Sequence, residues 1–157
     1  MLKRKDLLEI KSLSEDEILS ILHTAKDMKQ KIDNTALRSQ ELKNKSVVTL
    51  FYENSTRTKM SFMLAADYLG AKPEDLGIAT SSVNKGESLI DTGVTLDQMG
   101  INAMIIRHSL TGASHLLAKN VDACVINAGD GSNEHPTQAL LDMYSILEEK
   151  GKIEGLN

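Results

Sequence analysis

Residues 45–58, KSVVTLFYENSTRT, decide how this chain folds. Their first part, 46–51, is short, β-branched and apolar on both faces, which is typical of a buried parallel strand. The polar run 54–58, NSTRT, follows after Tyr52 and Glu53, and residues 56–69 then carry apolar side chains at helical spacing. The stretch therefore predicts a buried strand that passes through a polar junction into a helix, the repeating unit of a parallel α/β sheet.

The same alternation of strands and helices continues along the chain. A capping box, Ser14 with Glu17, opens an amphipathic helix at 15–31. The other predicted helices are 87–99, 112–119 and 135–150, and the other predicted strands are 76–79, 103–108 and 121–128. We expect an α/β fold with three layers, α-β-α, in which helices flank a central parallel sheet of about four strands. Residues 1–150 should form one domain, and the polar residues 151–157 should begin a linker.

Composition excludes several classes of protein. A net charge of −4 and only 3% aromatic residues give no basic or stacking surface for nucleic acid. No apolar run approaches the length of a membrane span, and the N-terminus lacks the apolar core of a secretory signal. The single cysteine, Cys124, excludes a disulfide framework. We therefore expect a cytoplasmic domain with neither a nucleic acid nor a membrane as partner.

The polar run at 54–58 predicts an anion site. A junction from strand to helix exposes unpaired backbone N–H groups and the positive end of the helix dipole. The hydroxyls of this run and the guanidinium of Arg57 would complete a pocket of the kind that phosphate occupies. The alternative is that Ser55 or Thr56 only caps the helix, which accounts for one hydroxyl and leaves Arg57 unexplained. The pattern of a Walker loop is absent.

Three further polar clusters, 80–86, 107–109 and 129–138, also follow predicted strands, where ligands bind in a parallel sheet. His135 and Gln138 lie three residues apart at a helix start, so both can face one point. Near that helix end the imidazole should stay neutral and donate a hydrogen bond to a carbonyl oxygen. The plainer alternatives are a polar cap for His135, a solvated strand end for Arg107 and a surface charge for Lys85. No metal site is expected, since no ligand set has metal spacing. The predicted ligand is a small phosphate compound that carries a carbonyl group.

At this point the residues resemble a known family. FYENSTRTKMSF is similar to the F-x-x-x-S-T-R-T signature of the aspartate and ornithine carbamoyltransferases, and NAGDGSNEHPTQALLD is similar to their H-P-x-Q segment. SSVNKGESLIDT, with Lys85, resembles the loop of the aspartate branch, so the resemblance is to the catalytic chain of the aspartate carbamoyltransferases. Met63 and Ser109 depart from the family pattern, where Glu and Pro are usual.

The resemblance implies transfer of the carbamoyl group from carbamoyl phosphate to the amino group of L-aspartate, a step of pyrimidine biosynthesis that needs no cofactor. The implied phosphate ligands are Ser55, Thr56, Arg57 and Thr58. Arg57 would also stabilise charge on the departing phosphate. The groups implied to polarise the carbonyl oxygen are Thr58, Arg107 and His135, while Gln138 would hold the carbamoyl amino group.

The resemblance also implies assembly and an incomplete site. Ser81 and Lys85 would reach into the site of a neighbouring subunit, as in the family's homotrimer, and Glu87 would help to orient the loops. Regulatory or dihydroorotase chains are open as partners. Because the family's aspartate-binding domain would follow residue 157, the chain alone should transfer little or nothing. Two alternatives stay open: a domain of the ornithine carbamoyltransferase type, and a non-catalytic module that binds anions and trimerises.

Overall fold

The structure, a computed structural model, describes residues 4–34, 39–77 and 86–156. The helices are α1 (Glu15–Asn34), α2 (Thr56–Tyr68), α3 (Leu89–Gln98), α4 (Ala113–Ala118) and α5 (Pro136–Lys150), preceded by one 3₁₀ turn, Ile10–Ser12. The strands are β1 (Ser46–Phe51), β2 (Lys72–Leu76), β3 (Ala103–His108) and β4 (Cys124–Asp130). None of the helices in these ranges has both the length and the apolar character that a membrane crossing requires.

The strands form a four-stranded sheet in the order β2-β1-β3-β4, and every pair is parallel. Chain order and spatial order differ because β2 lies on one side of β1 and β3 on the other. The carboxyl ends of β1 and β3 are therefore a topological switch point, where a crevice opens in sheets of this kind. The predicted α/β class and parallel sheet are confirmed.

Two apolar cores lie on opposite faces of the sheet, as the two-residue period of strands requires. Val48, Leu50, Met104 and Ile106 pack with Leu117 of α4 on one face. On the other face, Ala66 of α2 packs with a second set: Val47, Phe51, Ile105 and Ala128. β1 and β3 thus bury both faces, which explains why their sequences are apolar without alternation.

The predicted second strand, 76–79, is wrong. The structure places β2 at Lys72–Leu76, so Leu76 belongs to the strand and Gly77 does not, while residues 78–79 lie outside the described ranges. β2 is an edge strand and largely polar, KPEDL, with the Pro73 that only an edge or the start of a strand tolerates. A pattern of continuous apolar residues cannot detect such a strand.

β4 also differs from the prediction, because it begins at Cys124 and continues to Asp130 rather than ending at 128. Its outer edge is covered by the N-terminal segment, where Leu7 N–H donates to Val125 O (2.9 Å) and Leu7 O accepts from Asn127 N–H (2.9 Å). Gly129 and Asp130, expected in a loop, are therefore part of the sheet. This position decides the geometry of the candidate site.

Candidate functional site

A cavity of about 750 Å³ opens where α2 and α5 begin, beside the carboxyl ends of the strands. Its lining residues are Ser55, Arg57, Thr58, Ser61, Phe62, Ala65, His135, Thr137, Gln138 and Leu141. The volume falls in the range of small-molecule sites. Two clusters that are about eighty residues apart in sequence, the start of α2 and the start of α5, thus meet in one place, as the sequence predicted.

The start of α2 offers hydroxyls that do not cap the helix. Ser55 is the N-cap residue, with φ −155° and ψ 95°, but its side chain makes no capping hydrogen bond. Ser88 in the same role before α3 does cap, since its Oγ accepts from Asp91 N–H at 3.1 Å. The capping explanation for Ser55 is therefore wrong, and the free N–H groups of the first turn are left for another acceptor. Arg57 lies in this turn, and its exposed guanidinium makes no hydrogen bond to another described residue.

Arg107 lies at an irregularity between β3 and β4. Ile106 pairs with Asn127 and His108 with Asp130, so β4 contains one extra residue there, as in a β-bulge. The guanidinium donates from Nη1 to Ala128 O (3.1 Å) and from Nη2 to Glu53 Oε1 (3.0 Å). Its Nε is buried without a partner among the described residues. Glu53 therefore occupies one edge of the Arg107 guanidinium, and an anionic ligand would compete with Glu53 for that edge.

Gly129 lets Arg107 and His135 come together. An added Cβ at this residue would lie 2.6 Å from Arg107 Nη1 and 3.6 Å from His135 Cδ2. The backbone there has φ +117°, which glycine adopts without strain. Only a residue without a side chain therefore fits between the guanidinium and the imidazole.

His135 presents a buried donor. Its Nδ1 accepts from Gln138 N–H (3.4 Å) and lies 3.2 Å from Thr137 Oγ1, so in the neutral ring the proton belongs on Nε2. Nε2 is buried and has no partner among the described residues. Burial lowers the pKa of His135, and the positive charge of Arg107 lowers it further. Both effects favour the neutral imidazole that the sequence predicted, and burial is the larger of the two.

Gln138 is oriented by a bond within α5. Its Nε2 donates to Asp142 Oδ1 at 2.9 Å, one helical turn further on. This bond uses one of the two N–H groups and fixes the orientation of the amide, and Oε1 remains available as an acceptor. A ligand amino group is the complementary partner for that oxygen.

Not every predicted site residue lines the cavity. Thr56 is exposed and not among the lining residues, and Arg107 lies beside His135 rather than on the cavity wall. Ser81 and Lys85 lie outside the described residues. Glu87 is half-buried near Tyr52, whose pKa is raised first by burial and then by the Glu87 charge.

The sequence reasoning missed Glu53, Gly129 and Asp142. The spacing of Asp142 to Gln138 is that of a helical pair, so Asp142 could have been found. Glu53 is close to the hydroxyl run in sequence, but its pairing with Arg107, 54 residues away, has no local signal. Gly129 carried no comparable signal, because its role depends on contacts with Arg107 and His135.

Chemically, the cavity offers hydrogen-bond donors and the guanidinium of Arg57 to a small anion, and Arg107 lies beside His135. Within residues 4–34, 39–77 and 86–156, no group of three or more His, Cys, Asp or Glu side chains is placed to hold a metal ion. The donors come from the first turn of α2, from Arg57 and from His135 Nε2. One acceptor, Gln138 Oε1, completes the set.

The family model of the aspartate/ornithine carbamoyltransferase carbamoyl-P binding domain matches residues 5–148, almost the whole chain. The chain belongs to this family. The aspartate carbamoyltransferase catalytic subunit of Acetivibrio thermocellus is 58% identical over 156 residues, 99% of this chain and 50% of the relative. That of Ruminiclostridium cellulolyticum is 57% identical over 155 residues, with 99% and 50% coverage. The carbamoyltransferase domain thus spans about half the length of the curated relatives it matches.

Solved structures of the family have the same fold. The aspartate transcarbamoylase of Trypanosoma cruzi in complex with carbamoyl aspartate and phosphate superposes with a TM-score of 0.93 at 35% identity, covering 99% of this chain and 48% of that one. The catalytic subunit of M. jannaschii aspartate transcarbamoylase gives 0.90 at 40% identity, with 98% and 50% coverage. Both likenesses extend over the whole carbamoyltransferase domain described here.

Proposed function

We propose that this chain is the carbamoyl-phosphate-binding domain of an aspartate carbamoyltransferase. Residues 1–150 form the domain, and 151–157 begin the linker to the second half that the relatives possess. With that half, the enzyme transfers the carbamoyl group to L-aspartate and gives N-carbamoyl-L-aspartate and phosphate. The observation that carries the proposal is the single cavity that joins the uncapped start of α2 to the buried Nε2 donor of His135.

The phosphate group of the substrate binds at the start of α2. Free backbone N–H groups and the helix dipole favour a dianion there, and the hydroxyls of Ser55, Thr56 and Thr58 add donors. Arg57 supplies a positive charge that forms no ion pair with another described residue. The same charge favours departure of the phosphate, because it stabilises the developing dianion.

The carbonyl oxygen binds beside Arg107 and His135. The neutral His135 donates from Nε2, and Thr58 and Arg107 provide further donors to the oxygen as it becomes negative in the tetrahedral intermediate. Gln138 accepts from the carbamoyl amino group through Oε1. Each bond fixes one atom of the planar carbamoyl group, so the carbon is presented to the attacking amine in one orientation.

The proposed reaction needs no covalent intermediate and no cofactor. The amino group of L-aspartate attacks the carbamoyl carbon, the C–O bond to phosphate breaks, and a proton passes from the nitrogen to the departing phosphate, which leaves as hydrogen phosphate. The domain contributes orientation and a preorganised positive field, which are the largest effects available without a covalent step.

L-Aspartate rather than L-ornithine is the proposed acceptor, because both relatives named above are aspartate carbamoyltransferase catalytic subunits. The test is a chimera that joins residues 1–150 of this chain to the second half of the Acetivibrio thermocellus relative. We expect carbamoyl aspartate from aspartate and no citrulline from ornithine. Turnover with ornithine, or with neither acceptor, would contradict the proposal, and the second result would favour the non-catalytic module.

The isolated chain should bind carbamoyl phosphate but form little carbamoyl aspartate, because an acceptor site on the second half is missing. Robust production of carbamoyl aspartate by the purified chain would contradict this part of the proposal.

A homotrimer is the proposed assembly. α2 carries an exposed apolar stripe at helical spacing, Met60, Leu64 and Tyr68, which are 46%, 45% and 40% exposed. Such a stripe is suited to contact with a second copy, into whose site Ser81 and Lys85 would then reach. Sedimentation of the chain with Leu64→Glu beside the unaltered chain tests this, and a trimer that survives the substitution would contradict it. Association with regulatory or dihydroorotase chains and a cytoplasmic location stay predictions.

A further inference from the structure

Asp130, the last residue of β4, is an acidic side chain that is buried, at 1% exposure. A buried carboxylate is costly unless hydrogen bonds compensate for its lost hydration. Neither the phosphate nor the carbamoyl group needs an acceptor at this position in the function proposed above. Its retention in the fold therefore calls for another role.

The carboxylate accepts hydrogen bonds from several segments. Oδ2 accepts from Gly112 N–H at 2.9 Å, and Oδ1 accepts from Asn127 Nδ2 at 3.1 Å and from Glu134 N–H at 3.2 Å. Asn133 Nδ2 lies 3.3 Å from both oxygens. Burial alone would raise the pKa of Asp130, but these bonds together lower it, so the group is ionised at neutral pH.

Apart from Asn127 of β4, these donors lie in the segments that follow Arg107 and precede His135. Gly112 ends the loop that follows β3, and Gly131 N–H of the second loop donates to His108 O at 2.8 Å. Glu134 directly precedes His135. The carboxylate therefore joins the β3–α4 loop to the loop 131–134, so that neither can move without the other.

Asp130 also fixes the bulge beside Arg107. Asn127 and Asp130 stand on either side of the extra residue in β4, and their side chains are bonded to each other. Asn127 Oδ1 in turn accepts from Gly129 N–H at 2.9 Å. The bulge therefore presents Ala128 O to the Arg107 guanidinium and places Gly129 between that guanidinium and the His135 ring.

We infer that Asp130 is a positioning residue for the proposed carbamoyl transfer: its carboxylate holds the bulge and the loop 131–134 so that Arg107 and His135 lie side by side. The inference rests on the proposed function for its consequence, binding of the carbonyl oxygen. It rests on the observed hydrogen bonds for the placement itself.

For loss of the Asp130 charge, simple electrostatics and the positioning role predict opposite changes in ligand affinity, which makes the inference testable. Removing a negative charge near an anion site should tighten anion binding. Loss of positioning should instead weaken binding of carbamoyl phosphate, whose carbonyl contacts Arg107 and His135. Inorganic phosphate, held at the start of α2, should be affected much less.

The experiment compares Asp130→Asn with Asp97→Asn in the whole chain. Asp97 is a matched control, since its carboxylate accepts from Asp122 N–H (3.0 Å) and Ala123 N–H (2.8 Å) at the opposite end of β4. Calorimetry measures the affinities for carbamoyl phosphate and for inorganic phosphate. ¹H–¹⁵N spectra record the signals of the His135 ring, with those of His23 as the reference. If Asp130→Asn does not fold, Asn133→Ala removes one exposed donor and should give the same changes at smaller size.

We expect Asp130→Asn to shift the His135 ring signals and to weaken carbamoyl phosphate binding about tenfold, the size of one lost hydrogen bond to a charged group. Asp97→Asn should lower the melting temperature without either effect. Unchanged His135 signals, or carbamoyl phosphate binding that stays equal or tightens, would overturn the inference. If the unaltered chain does not bind carbamoyl phosphate, the proposed function fails, and the His135 signals alone decide whether Asp130 positions the ring.

Discussion

Gly129 leaves room for the Arg107 guanidinium, and Gly129→Ala should remove that room. The added methyl group would lie 2.6 Å from Arg107 Nη1 and 3.3 Å from its Cζ, well inside normal contact. Arg107 must then give up its bonds to Ala128 O and Glu53. The substitution thus combines backbone strain at φ +117° with displacement of a proposed ligand of the carbonyl oxygen.

Gly100→Ala separates the two effects. Gly100 also has positive φ, +86°, but an added Cβ there meets no atom within 4 Å. Each alanine should cost about 1–3 kcal/mol of backbone strain. Gly129→Ala should lose about 1–2 kcal/mol more, for one hydrogen bond and a partly exposed ion pair.

The assays are chemical denaturation and calorimetric titration with carbamoyl phosphate. We expect both variants to be less stable, Gly129→Ala more so, and only Gly129→Ala to bind about tenfold or more weakly. Equal stability losses together with equal, unchanged affinities would refute the reasoning, because Arg107 would then tolerate the methyl group.

Three further predictions follow from the site. Glu53→Gln should tighten binding of carbamoyl phosphate about two- to fivefold, because it removes a partly exposed competitor for the Arg107 guanidinium, the proposed ligand of the carbonyl oxygen. Glu148→Gln, which breaks another exposed pair (2.9 Å), should not change this affinity. Ser55→Ala should weaken phosphate binding with little change in stability, whereas Ser88→Ala should cost about 1 kcal/mol of stability and leave binding unchanged; the reverse pattern in titration and denaturation would count against the site. The pKa of His135 lies below 6.5 in the folded chain, so the unfolded chain takes up the proton first and stability should fall as pH drops below 6.5. Melting curves of His135→Gln should show a smaller fall in stability over this pH range, and an equal fall would contradict the prediction.

The central elements could be predicted because each has a local sequence pattern that its position in the fold requires. β1 and β3 bury both faces and so read as continuous apolar runs. α5 begins at Pro136, where proline is expected, and its start brings His135 and Gln138 to one point. Local pattern and final structure agree at these positions.

β2 could not be predicted in the same way, because at the edge of the sheet it needs no apolar pattern. Its position is fixed by pairing with β1, and by Asp75, which accepts from Thr49 Oγ1 (2.7 Å) and Lys59 Nζ (2.8 Å). Such contacts join residues that are distant in sequence, and no local spacing announces them.

In the candidate site, too, some residues could be predicted from local sequence and others could not. Ser55, Arg57 and Thr58 could be predicted from a run of polar residues at a strand-to-helix junction. The partners that hold Arg107 could not, since Glu53 is 54 residues away in sequence and the bulge at Gly129 exists only once β3 and β4 are paired. The sequence alone could not predict the hydrogen bonds that orient the functional groups.

The most direct test of the central claim is calorimetric titration of the chain with carbamoyl phosphate, beside Arg57→Ala and Lys119→Ala. Lys119 is an exposed cation at the end of α4, so its removal changes the net charge equally without touching the cavity. The account predicts saturable binding that Arg57→Ala weakens at least about tenfold and Lys119→Ala leaves unchanged. Saturable binding that is equally strong in Arg57→Ala, or no binding by the folded chain, would contradict it.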